Sequence, residues 1–133
     1  GSIRAPQWTK GGVVFAPKSR DFSKKMNAEA KRGALFSALS KKVADGELIV
    51  VDKLEVKEAK TKEMVRFLEA LKLDKRTLVV MDTDDIGVIR ASRNIPKLST
   101  LPVAQISTYE VVANAKIVLT KGAVEKIEEV YGA

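Results

Sequence analysis

The sequence predicts an α/β protein: a three-layer α/β/α domain with a mostly parallel four-stranded sheet, preceded by an extended basic N-terminal arm. Four short apolar runs of strand length lie between residues 48 and 120, and helical patterns fill the gaps between them. The runs are continuous, not alternating, as strands buried on both faces of a parallel sheet are. Charge marks the arm. Residues 1–45 hold ten basic and three acidic side chains, the whole formal net charge of +7, whereas residues 46–133 hold fourteen of each sign. A basic extension on a neutral body suits contact with a polyanion.

Residues 1–23 show no sustained period, and Gly1, Pro6, Gly11, Gly12 and Pro17 argue against a regular helix there. Val13, Val14 and Phe15 form one short apolar patch, the expected anchor of this stretch on the body. Residues 1–12 carry too little apolar surface to offset backbone ordering at roughly 1–2 kcal/mol per residue. An extended, non-helical path with few contacts to the domain is expected for them. The division that follows is an arm over 1–25 and a globular α/β domain over 26–133.

The first helix is expected over 28–44, with Asn27 as N-cap, Glu29 in its first turn and Gly46 at C′. Leu35, Ala38, Leu39 and Val43 recur at helical spacing and define its buried face. Lys31, Lys41 and Lys42 flank that face, with Arg32 near its edge. The strand-like runs are 48–52, 77–82, a weaker one at 102–106, and 116–120. Pro102 cannot donate to a ladder, so it marks a strand start or an edge. Thr61 caps a second helix with Met64, Phe67, Leu68 and Leu71 inward. Asp84 or Asp85 opens a short helix carrying Ile86 and Ile89, which ends before Pro96. Ser107 and Glu110 have capping-box spacing ahead of Val111 and Val112. Thr120 caps the last helix, with Val124, Ile127 and Tyr131 inward.

At 133 residues one domain is the expectation. The chain has no cysteine and no histidine, so thiol chemistry, disulfides and the commonest general base and metal ligand are excluded. No apolar run approaches the ~20 residues that span a bilayer, and no signal-peptide pattern opens the sequence. A soluble intracellular protein without a cofactor is expected.

The basic arm is the strongest functional signal. Arginine forks bind phosphate bidentately, lysines neutralise it as point charges, and glycines let the backbone approach closely. Arg4, Lys10, Lys18, Arg20, Lys24, Lys25, Lys31 and Arg32 are the candidate phosphate contacts, and Trp8 offers an indole face to a base. An anionic membrane, an acidic protein or no partner at all are the competing readings of such an arm. Arg90 and Arg93, close to Asn94, read either as a second basic contact or as an exposed helix face. Asp52 and Asp82 each end an apolar run, followed by Asp84 and Asp85, and ligand sites in open α/β sheets lie at such ends. With Thr120 and Lys121 they suggest a receiver-like phospho-acceptor switch using Asp52 and Asp82. The simpler reading, that these acids cap helices and solvate loops, is favoured, because no nucleophile has an evident base and no Gly-rich phosphate loop follows a strand.

Residues 1–8 (Gly-Ser-Ile-Arg-Ala-Pro-Gln-Trp) and 11–18 (Gly-Gly-Val-Val-Phe-Ala-Pro-Lys) resemble the returning limb of the tunnel arm in bacterial-type large-subunit ribosomal protein L-four, the universal uL-four family. The likeness continues through residues 21–25, 32–40, 48–52, 60–62, 93–96 and 119–129, nearly the whole chain. The resemblance implies a structural constituent of the large ribosomal subunit that binds its rRNA, supports subunit assembly and extends an arm toward the peptide exit tunnel. It implies a cytoplasmic, ribosomal location, neighbouring large-subunit proteins as partners, and no membrane. The nascent peptide and the leader RNA of the protein's own operon are further partners it suggests. It adds Arg93 to the rRNA-binding candidates and implies the sheet order 1-4-2-3. Members of the family normally begin with a further strand region, a helix and the outgoing half of the arm with its tip. Residue 1 falls just after that tip, so the tip's contacts are not carried over. Ala16 stands where glycine is usual in the family, and Ser19 where proline is usual.

Overall fold

Three of the four apolar runs become the strands they predict, and the fourth strand lies one step upstream of its run. The computed structural model describes residues 1–132. Its elements are α1 (Ala28–Ala44), β1 (Leu48–Val51), α2 (Thr61–Ala70), β2 (Thr77–Met81), α3 (Ile86–Ser92), β3 (Leu98–Pro102), α4 (Thr108–Ala113), β4 (Lys116–Thr120) and α5 (Lys121–Tyr131). All pairings are parallel and the strand order is β1-β4-β2-β3. Thr77 of β2 lies opposite Lys116 of β4 and Leu98 of β3.

The expected third strand at 102–106 is corrected. Pro102 closes β3 instead of opening it, and Val103–Gln105 form a single 3-10 turn. The less apolar segment 98–102 pairs because it is an edge strand, held on one side only by β2. Edge pairing tolerates both a final proline and a weaker apolar run.

The sheet divides two cores. Leu78, Val80, Ile117 and Leu119 point to one face, where Leu35 of α1, Val111 of α4 and Ile127 of α5 cover them. Val79, Met81 and Val118 point to the other, against Met64 of α2 and Val88 and Ala91 of α3. This alternation within continuous apolar runs is what two-sided burial demands.

Helix ends are set by local chemistry. Asp85 Oδ1 accepts the Gly87 N–H at 2.9 Å, Ser107 Oγ accepts the Glu110 N–H at 3.4 Å, and Thr120 Oγ1 accepts the Ala123 N–H at 3.1 Å. Asn27 and Thr61 make no such bond: Asn27 precedes α1 without a side-chain cap, and Thr61 lies inside α2. At the end of α1, Gly46 (φ 70°) donates to the Val43 carbonyl and Glu47 to the Lys42 carbonyl. The same pair of bonds closes α2, from Lys72 to Glu69 and from Leu73 to Leu68, but with Lys72 in the left-handed region at φ 54°.

One inward-facing expectation fails: Val43 is 62% exposed. At the end of α1 it is Lys42 that turns inward: its side chain is 13% exposed, and its ammonium donates to Glu47 Oε2 at 2.9 Å and to the Ala115 carbonyl at 3.3 Å. The aliphatic stem of a lysine packs well when its charge finds such partners.

The N-terminal segment also departs from expectation. Residues 1–12 are not extended. They form consecutive turns, with N–H groups of Ala5, Trp8 and Gly11 donating to carbonyls of Ser2, Ala5 and Trp8, and Gly12 donating to Arg4 at 2.7 Å. A local string of turns satisfies backbone groups without needing apolar surface, so it forms where a strand or helix would not. Lys10 adopts φ 63° within it. The anchor expected at 13–15 is absent: Phe15 is 94% exposed, and neither core contains a residue from 1–27.

Replacing Lys72 with glycine removes the Cβ penalty of its left-handed backbone and is expected to stabilise the domain by about 0.5–1 kcal/mol, read as a higher urea midpoint. The Lys42 hydrogen bond holds the Glu47 carboxyl below its ordinary pKa of 4.5. A depressed folded-state pKa gives stability that is present above the ordinary value and lost as pH falls through the folded one. Urea titrations below about pH 4.5 should therefore show a steeper loss for the parent than for Lys42→Met. At Gly11 an added Cβ would collide with the Ala5 carbonyl oxygen. Gly11→Ala is expected to open the turns, seen as lost amide protection at Gly12, with the thermal midpoint of the body unchanged.

Candidate nucleic-acid interface

The arm presents its cations to solvent. Arg4, Trp8 and Lys10 are held by their backbones in the turns of residues 1–12, and their side chains are exposed. Lys18, Arg20, Lys24, Lys25 and Lys31 are exposed too. The Arg20 guanidinium lies 4.2 Å from the centre of the Phe22 ring, which stiffens the segment while leaving N–H groups for an anion. Asp21 is the single acid of this stretch. Hydrogen bonds from the Ser23 side chain and backbone hold its carboxyl below the usual range, so it stays charged and its oxygen is engaged at 2.8 Å.

Lys31 and Arg32 stand on the first turns of α1. With Leu35, Ile106, Thr108 and Tyr131 they line a cavity of about 450 Å3 where the arm joins the body. The arm's cations are thus continuous with the start of α1. Arg93 is not part of this group. It ends α3, which packs on the opposite face of the sheet.

Arg93 has other company. The loops that lead into β2 and β3, with the first residue of β4, bring Lys72, Lys75, Arg76, Lys97 and Lys116 to the end of the body where strands begin. The Arg76 carbonyl accepts the Lys116 N–H at 3.0 Å, and the Lys97 carbonyl accepts the Thr77 N–H at 2.8 Å. Sequence reading missed this grouping because its members come from separate loops. The recurrence of lysine or arginine just before strands is the signal that would have found it.

The carboxylates gather at the other end. Asp52 and Asp82, with Asp85, Thr120 and Gly122, line a cleft of about 350 Å3. Asp52 follows β1 and Asp82 follows β2, with β4 between those strands. Asp85 and Thr120 spend their oxygens as helix caps. Gly122 sits so close to Asp82 that a Cβ there would lie 2.7 Å from Oδ2. Among the described residues no three acids converge on a cation-binding geometry, which leaves the phospho-acceptor reading without a metal cluster to support it. Among the same residues no helix is long and apolar enough to cross a membrane.

The sequence has many relatives. It is 50% identical to the large ribosomal subunit protein uL4 of Lachnospira eligens over 131 residues, 98% of this chain and 63% of that protein. It is 47% identical to uL4 of Alkaliphilus oremlandii over the same shares. To uL4 of Symbiobacterium thermophilum it is 44% identical, over 99% of this chain and 64% of the relative. The chain therefore spans a little under two thirds of the length of these relatives. Residues 1–130 match the family described as Ribosomal protein L4/L1 family, and the chain belongs to that family.

Proposed function

We propose that this chain is a structural constituent of the large ribosomal subunit and binds large-subunit rRNA through its N-terminal arm. The observation that carries this reading is the arm's isolation. Residues 1–27 bring six basic side chains and one acid, and no residue among them enters either core. A segment so charged and so little packed contributes nothing to the body's fold, and its chemistry suits a phosphate backbone. The family membership and the names of its relatives point the same way.

In this reading the arm spans 1–25 and the body 26–133. Arg4, Lys10, Lys18, Arg20, Lys24 and Lys25 neutralise phosphates, joined by Lys31 and Arg32 where the arm meets α1. Trp8, exposed on its turn, stacks on a base or sugar. Gly11 lets backbone pass where a side chain would collide. Turns instead of a strand give the segment a compact shape that fits between RNA helices. The family resemblance extends this to support of subunit assembly, an arm directed toward the exit tunnel of cytoplasmic ribosomes, and contacts with neighbouring large-subunit proteins, the nascent peptide and the operon's leader RNA.

Binding to a large-subunit rRNA transcript should weaken steeply with salt. An arm that neutralises about five phosphates gives log K against log salt a slope of roughly −3.5 to −4.5. Replacing Lys24, Lys25, Lys31 and Arg32 with glutamine should flatten that slope while circular dichroism remains that of the parent. An unchanged slope would remove these residues from the interface.

A further inference from the structure

The arm exposes more than charge. Among the described residues fourteen large hydrophobic side chains are exposed, and seven of them lie in residues 1–27, about a fifth of the chain. Ile3 and Trp8 sit side by side on the turns, lining one shallow hollow with Thr9. Val13, Val14 and Phe15 follow in a row, and Phe22 and Met26 stand further along. Cations are interleaved with these groups: Arg4 and Lys10 around Trp8, Lys18 and Arg20 after Phe15, Lys24 and Lys25 between Phe22 and Met26. Neutralising phosphate needs the cations but not the apolar groups, and valine has no ring face to stack on a base.

We infer that, in a chain not engaged with RNA, the arm binds peripherally to an anionic lipid surface, its cations on the headgroups and its apolar side chains in the interface. The inference goes beyond the RNA reading and does not depend on it. Stable attachment of a segment to a bilayer takes apolar burial together with attraction to anionic headgroups, and the arm carries both. Tryptophan is a preferred interfacial side chain, because its ring is apolar and its N–H polar. Backbone is the usual obstacle, since N–H and C=O groups without partners are costly in lipid. Residues 1–12 remove part of that cost themselves. The N–H groups of Ala5, Trp8, Gly11 and Gly12 bond to carbonyls within the segment, and that of Arg4 bonds to Ser2 Oγ at 3.1 Å. Ile3 and Trp8 are therefore carried on turns whose donors are already satisfied, and no amphipathic helix is needed.

A protein partner fits the arm less well. Protein interfaces gather apolar groups at a centre and are depleted in lysine. Here apolar groups and cations alternate along residues 1–27, and none of these residues enters either core of the body. The attachment is peripheral, because among the described residues no helix is long and apolar enough to cross a membrane.

The test uses the full chain and two kinds of vesicle, pure phosphatidylcholine and an equal mixture of phosphatidylcholine with phosphatidylglycerol. Trp8 is the sole tryptophan, so its emission reports on the arm. The expected result is co-sedimentation with the mixed vesicles and a blue-shifted emission, with neither on phosphatidylcholine. One variant carries Val13→Ser, Val14→Ser and Phe15→Ser. None of these residues belongs to a core, so the fold is retained, and the salt slope on the rRNA transcript should stay that of the parent. This variant should bind the mixed vesicles roughly tenfold or more weakly. A second variant, Lys18, Arg20, Lys24 and Lys25→Gln, should weaken on both vesicles and transcript. If the parent binds the transcript but not the mixed vesicles, the inference fails and the proposed function stands. If it binds the mixed vesicles but not the transcript, the proposed function fails and the inference stands. If the serine variant matches the parent on the vesicles, attachment is by charge alone and the inference is overturned. If polyglutamate shifts the Trp8 emission while the mixed vesicles do not, the arm serves an acidic protein and the inference is likewise overturned.

Discussion

β4 has a hydrogen-bonded neighbour on each side and a helical layer on each face, and the rest of the body is arranged around that position. It accepts β1 on one side and β2 on the other, so the last strand in sequence becomes central in space. Ile117 and Leu119 then serve one core and Val118 the other. Each such side chain contributes roughly 1.5–3 kcal/mol on burial. Parallel pairing also forces every strand-to-strand connection to cross over, which is why β1, β2 and β3 are each followed by a helix that returns the chain to the end where strands start. All strand ends therefore collect at one edge and all strand starts at the other.

Much of this was legible because two-sided burial leaves a plain mark. The runs at 48–51, 77–81 and 116–120 read as strands from apolarity alone, and Ser107, Asp85 and Thr120 read as caps because their oxygens have one local use. β3 was displaced because an edge strand needs less apolar surface, and the apolar signal falls on Val103 and Ile106, which are buried but not in a strand. Val43 and Lys42 exchanged roles because helical periodicity ranks residues by polarity. It cannot see that Glu47 and the Ala115 carbonyl stand ready to receive an ammonium. Residues 1–12 were misjudged for a related reason. Turns are stabilised by backbone bonds between near neighbours, and these leave no apolar signature.

The site was legible in part. The arm's cations announce themselves by density in sequence, and the structure leaves them exposed. Arg93 could be named but not placed. Arg76, Lys97 and Lys116, at the same end of the body, are brought together only by the parallel register, which sets Thr77 opposite both Leu98 and Lys116. A count of fourteen charges of each sign over residues 46–133 did not show that Arg76, Lys97 and Lys116 share one end of the body and Asp52 and Asp82 the other.

That polarity raises the question of why the basic arm does not fold back on the acidic edge of the body. Part of that end is already engaged: Asp85 caps α3, Glu55 pairs with Lys53, and the Asp82 backbone carbonyl receives Lys126. Among the described residues no ion pair joins residues 1–25 to the body. An exposed pair would gain at most about 1 kcal/mol, less than the cost of ordering the intervening backbone. A polyphosphate chain offers many anions at fixed spacing and releases condensed counterions when it is bound. In the proposed reading such a chain therefore outcompetes the body's own scattered carboxylates for the arm.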